Sequence, residues 1–125
     1  MDEQATQWYK GLDDADVKRL GPILELFGQC VPTASAGYYP KNILTLKVDG
    51  AVALAISPRK SYISFYAWSA QAISILKEVL PRLGKVDPGV GCLRFRKLAD
   101  INMDTLREAF TAMAQVRHDS AYGFK

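Results

Sequence analysis

Arg59 and Lys60 open the stretch of this chain best suited to chemistry, S-P-R-K-S-Y-I-S-F-Y-A-W over positions 57–68. The two cations follow a Ser57-Pro58 turn. They lead into a run in which Tyr62, Ser64 and Tyr66 alternate with Ile63, Phe65 and Ala67. Alternation of β-branched and aromatic residues predicts a strand with two unlike faces. One face is apolar; the other sets phenol rings beside a basic turn. A second alternating run, 91–96, sends Leu93 and Phe95 one way and Cys92, Arg94 and Arg96 the other. Guanidinium groups are bidentate donors to carboxylate and phosphate and stack well on aromatic rings. Together these residue types suit binding an anion.

They do not make a catalytic set. His118 is the only histidine; near the end of the chain, it reads as a solvated residue. No nucleophile elbow, phosphate loop or dinucleotide fingerprint occurs, and Gly89-Val90-Gly91 is a turn signal only. Cys92 stands beside Arg94 and Arg96, a setting that can activate a thiol, yet a small strand cysteine is more often simply buried. Asp13, Asp14 and Asp16 stand where a helix begins, and acids there suit capping and the helix dipole.

The elements that must hold these residues can be read in order. Trp8 and Tyr9 pin the N-terminal segment. Asp13 or Asp14 caps a helix running to about Gln29, with Val17, Leu20, Ile23 or Phe27, and Leu24 at helical spacing. Gly21-Pro22 predicts a kink or a break in it. Residues 31–41 read as a connection. Ile43–Val48 alternates, Asp49-Gly50 is a two-residue hairpin signal, and 51–56 points Val52, Leu54 and Ile56 to one side and Ala51, Ala53 and Ala55 to the other. With the aromatic strand, this is a three-stranded antiparallel meander. Ser69 caps a helix over 70–80, ended by Pro81 and Gly84. Asn102 caps a last helix with a Met103, Leu106, Phe110 and Met113 stripe, and the polar tail after Val116 frays. The order predicts one α+β domain over 1–125: two layers, an antiparallel sheet of about five strands, and helices covering one face.

If the helices cover the side holding Leu54, Ile63, Phe65, Leu93 and Phe95, the opposite side carries Thr45, Lys47, Ala53, Ala55, Tyr62, Ser64, Tyr66, Arg94 and Arg96. Small alanines flanked by tyrosines make a shallow floor with aromatic walls. Arg59, Lys60, Tyr38 and Tyr39 would stand at its rim. Three occupants suit such a face: the chain's own C-terminal segment or a second copy, a small anionic ligand, or single-stranded nucleic acid stacked on Tyr62 and Tyr66. The net charge of +3 and the lack of a glycine-aromatic RNA-binding motif argue against nucleic acid. The charge is unevenly spread. Residues 1–25 hold six acids and three bases, while 58–97 hold eight bases and two acids. Two widely separated cysteines, Cys30 and Cys92, with no signal-like or membrane-spanning run, predict reduced thiols in a cytoplasmic protein.

The segment R-K-S-Y-I-S-F-Y-A-W, together with L-G-K-V-D-P-G-V-G-C-L-R-F-R-K-L-A-D-I-N-M-D-T-L-R-E-A-F, resembles the YdhG-like bacterial family of unknown function. In that family a glycine-lysine turn precedes G-(C/S)-(I/L)-R-F-(K/R), a short D-I element and a closing helix. The resemblance spans roughly residues 13–114 and implies a two-layer α+β domain like the secretion-chaperone fold. One branch is described as frataxin-like iron chaperones that deliver iron intracellularly. Here the family's acid and Y-G-x-P element are replaced by A-S-A-G-Y-Y-P at 34–40, so an iron site would fall to Asp13, Asp14 and Asp16. The expectation is a non-enzymatic, homodimeric binding or interaction module without a cofactor, using Tyr62, Tyr66, Arg94 and Arg96; the alternative is an iron chaperone.

Overall fold

The computed structural model describes residues 2–89 and 92–119. Two helices come first, α1 (Glu3–Lys10) and α2 (Asp14–Cys30), followed by β1 (Ala34–Tyr39), β2 (Ile43–Val48), β3 (Ala51–Pro58) and β4 (Ile63–Ala67). Then come α3 (Ala70–Val79), β5 (Asp87–Gly89), β6 (Cys92–Phe95) and α4 (Met103–Ala114). The strands form one antiparallel sheet in the order β1-β2-β3-β4-β6-β5. This is the expected α+β architecture with a helical layer against one face. Position 91, the expected start of the last strand, lies outside the described residues, as do positions 120–125 of the expected fraying tail.

The sheet has six strands because positions 31–41 are not a plain connection. Ala34, Ser35, Ala36 and Gly37 carry no alternating signal, yet they pair residue for residue with β2. The turn joining the two strands places Lys41 and Asn42 at φ 74° and 66°. Asparagine tolerates that left-handed region better than most residues. The Asp49-Gly50 turn is as the sequence predicts, with φ 51° and 82°. Asn42 then ties three elements together. Its Oδ1 accepts from the Trp8 indole N–H, its Nδ2 donates to the Pro58 carbonyl at 3.1 Å, and its own carbonyl accepts from the Ser57 hydroxyl at 2.6 Å. Trp8 therefore does pin the N-terminal segment, which is itself helical and capped by the Asp2 side chain.

Helix α2 is continuous from Asp14 to Cys30 with Pro22 inside it, not two short helices. Leu20 lies before the proline and Ile23, Leu26 and Phe27 after it, and all four are buried. Packing on both sides of Pro22 offsets the hydrogen bond that proline removes. Phe27 meets Phe110 of α4 edge to face, with ring centroids 5.1 Å apart. On the sheet side Phe65 lies against Phe95 at 5.2 Å. Leu44, Leu46, Leu54, Ile56 and Ile63 complete the floor of this core.

One register shift changes which residues share a face. Leu46 pairs with Leu54, but Lys47 pairs with Val52 and Val48 with Ala51. Ala53 is the extra residue of a β-bulge. Val52 therefore joins the Lys47 side and is only half-buried, instead of entering the helix-covered core as the simple alternation predicts.

Within the second sequence block that resembles the YdhG-like family, the glycine-lysine turn is bonded to the D-I element. Lys85 N–H donates to the Asp100 carbonyl at 2.7 Å, and Asn102 N–H to the Leu83 carbonyl at 2.8 Å. Gly84 and Ile101 form an isolated antiparallel bridge. Gly84 has φ +114°, and a Cβ there would stand 2.1 Å from the Asp100 carbonyl oxygen. Only glycine fits that approach.

The basic aromatic face

The cross-strand pairs Thr45–Ala55, Ala55–Tyr66 and Tyr66–Cys92 run across one row of the sheet face turned away from the helical layer. Ser57–Ser64, Ser64–Arg94 and Asp87–Arg94 make the next row. Alternation along β4 adds Tyr62 to the same face. Four of the predicted residues thus come together: Tyr62, Tyr66, Arg59 and Arg94.

Two guanidinium groups cross over β4. Arg94 reaches toward the start of the strand, where its Cζ lies 5.1 Å from the Tyr62 ring centroid, a cation–π contact. Arg59 follows β3, and its backbone N–H closes the turn onto the Tyr62 carbonyl at 2.7 Å. Its side chain runs the other way along β4, and Nη2 donates to the Tyr66 hydroxyl at 3.4 Å. Ser64 lies between the tyrosines and is only 1% exposed. Arg94 is held above its ordinary pKa, first by hydrogen bonding and electrostatic attraction to Cys92 and then by Tyr62. It stays cationic at any physiological pH. Among the described residues, carboxylate partners within ion-pair distance are found for Arg19, Arg82 and Arg117; Arg59, Arg94 and Arg96 have none.

The other predicted rim residues divide. Lys60 is exposed at the β3–β4 turn. Arg96 lies just past β6, where its carbonyl accepts from Arg19 Nη1 at 3.5 Å. With Lys85, Asp87, Arg94 and Asp100 it lines a cleft of about 430 Å³ at the β5–β6 end of the sheet. Tyr39 pairs with Ile43, and its ring meets Trp68 edge to face at 5.4 Å. Tyr38 is a correction. It pairs with Leu44 on the helix-covered side and its ring lies 6.1 Å from that of Trp8, so it is not at the rim. The one-residue alternation of β1 separates it from Tyr39.

The floor also differs from a plain open surface. Ala53 and Ala55 have 0% exposure, and Thr45 and Trp68 are buried. The Trp68 backbone N–H donates to the Ala53 carbonyl at 3.0 Å, so the chain leaving β4 continues the ladder alongside the bulge. The accessible part of the face is accordingly the β4–β6 half.

His118 is the residue the sequence misplaced. It is 7% exposed, with Nδ1 2.7 Å from the Ser69 hydroxyl and Nε2 2.8 Å from the Met113 carbonyl. A carbonyl only accepts, so Nε2 carries the hydrogen and Nδ1 accepts from Ser69. The Ser69 oxygen in turn accepts from Ala72 N–H at 2.9 Å as the cap of α3. Ala70 N–H donates to the Asp119 carbonyl at 2.9 Å, and Asp119 N–H to Gln71 Oε1 at 2.9 Å. A single histidine gives no sequence signal for such docking.

The carboxylates of the alternative iron site are occupied differently. Asp13 caps α2 by accepting from Asp16 N–H at 2.8 Å, and Asp16 is paired with Arg19. Among the described residues no three His, Cys, Asp or Glu side chains are grouped so as to hold a metal ion. None of their helices is long and apolar enough to cross a membrane.

Fold and face together define a two-layer α+β domain with a basic, tyrosine-bearing half-sheet. The same fold occurs in a protein of the DUF1801 family, YdhG of Bacillus subtilis, whose crystal structure superposes with a TM-score of 0.65 at 11% identity, over 84% of this chain and 83% of that one. The resemblance read from the two sequence blocks thus has its counterpart in three dimensions, at the level of the fold. No family model and no curated protein matches the chain.

Proposed function

We propose that this protein is a non-catalytic, cytosolic binding module whose contact surface is the β4–β6 half of the sheet face and whose partner is anionic there. The observation that carries the reading is the crossed pair of arginines, Arg59 and Arg94. Each is held against a tyrosine, and neither has a carboxylate partner among the described residues. A guanidinium seated on an aromatic ring keeps its outward N–H groups available for a carboxylate or phosphate. The two free thiols, Cys30 and Cys92, suit a reducing compartment. The complete burial of Ala53 and Ala55 within one chain lessens the need for a second copy to cover the alanine floor.

Backbone amide shifts on titration with octanoate test the reading. Expected are shifts concentrated at residues 62–66 and 92–95, abolished in the Arg59→Gln, Arg94→Gln double variant. Shifts centred elsewhere, or unchanged in that variant, would sink it.

A further inference from the structure

Arg94 belongs to two places at once. Its guanidinium lies over Tyr62 on the sheet face, and the same residue lines the 430 Å³ cleft with Lys85 and Arg96. The face and the cleft are therefore continuous, with cations at both ends and Arg94 between them. From β4, where the Arg59 side chain lies, to the β5 side of the cleft is two strand spacings, about 10 Å. The segment bearing Lys85 is fixed by the Lys85 N–H to Asp100 carbonyl bond of 2.7 Å, and Arg96 is steadied by the Arg19 contact to its carbonyl. Neither Lys85 nor Arg96 has an ion-pair partner among the described residues.

We infer that the ligand is a short dianion: two carboxylate or phosphate groups about 10 Å apart on a slim apolar linker, one group held by Arg59 and Arg94 and the other by Lys85 and Arg96. This rests on the reading of the β4–β6 face as an anion-binding surface and adds the second anchor. Asp87 and Asp100 also line the cleft, and their carboxylates oppose further negative charge. That pattern favours a ligand that ends in the cleft over a nucleic-acid strand, whose phosphates would continue past both acids.

Calorimetry with octanoate and octanedioate separates the steps. Linking two contacts makes the second effectively intramolecular, so octanedioate binds about 10-fold or more tighter than octanoate. Lys85→Gln with Arg96→Gln removes that gain, so that octanedioate binds no tighter than octanoate; Arg59→Gln weakens both. Replacing the two carboxylates by phosphates, as in a linear bisphosphate of the same length, distinguishes the two anion types by their relative affinity. Equal binding of octanoate and octanedioate, insensitive to Lys85→Gln, overturns the dianion and leaves the anionic face standing. Absence of binding by either at residues 62–66 overturns the face itself. An oligouridylate that outcompetes octanedioate overturns the choice of a short ligand.

Discussion

Replacing His118 by alanine tests how the end of the described chain is held. The imidazole gives one hydrogen bond to the Met113 carbonyl and takes one from the Ser69 hydroxyl. Each bond contributes about 1 kcal/mol net, and a buried polar group left without its partner costs roughly 1–3 kcal/mol. Ser69 keeps its capping bond to Ala72, so the larger loss falls on the Met113 carbonyl. The sum is about 2–4 kcal/mol, a large share of the roughly 5–15 kcal/mol that stabilises a domain of this kind. In urea the unfolding midpoint should fall by about 1–2 M at an unchanged slope, taking a slope of about 2 kcal/mol per M. Asp119→Ala is the comparison, because it removes only exposed side-chain bonds to Gln71 and Arg117; its midpoint should stay close to that of the parent. If His118→Ala matched Asp119→Ala, the docking of residues 117–119 on α3 would be wrong.

Two further outcomes follow from local geometry. Gly84→Ala should destabilise by about 3 kcal/mol or more, since the new methyl meets backbone at 2.1 Å and φ is +114°; a urea midpoint within about 0.5 M of the parent would refute the bridge to Ile101. The Asp119 carboxyl is held below its ordinary range, chiefly by the hydrogen bond from Gln71. A depressed carboxyl contributes its bond at pH above the unfolded value and loses it as pH falls through the lower folded value. The Gln71 side-chain amide signal should therefore titrate below about pH 3.9, and a midpoint at or above that value counts against the bond.

The sequence was most legible where one signal acted alone. Asp49-Gly50, the caps Ser69 and Asn102, and the stripe Met103, Leu106, Phe110 and Met113 announce structure that neighbouring residues then build. Legibility failed where pairing partners decide. β1 has small residues without alternation and becomes a strand because β2 offers it a ladder. Val52 changes face because the bulge at Ala53 adds one residue, and a shift of one moves every later side chain across the sheet. Within the candidate face, Tyr62, Tyr66 and Arg94 follow from strand alternation. The cleft wall at Lys85 and Asp100 depends on a bridge between segments that no periodicity connects.

Phe27 and Phe110, which meet edge to face in the core, also set an order of events during synthesis. The hairpins β1–β2, β2–β3 and β3–β4 join strands adjacent in sequence, and such local pairings form early. α4 reaches the ribosome exit long after them. Until it does, Phe27 lacks its edge-to-face partner and the apolar sides of α2 and α3 that α4 covers stay open to solvent. The last helix is thus the step that closes the core, and a chain halted before it keeps apolar surface exposed.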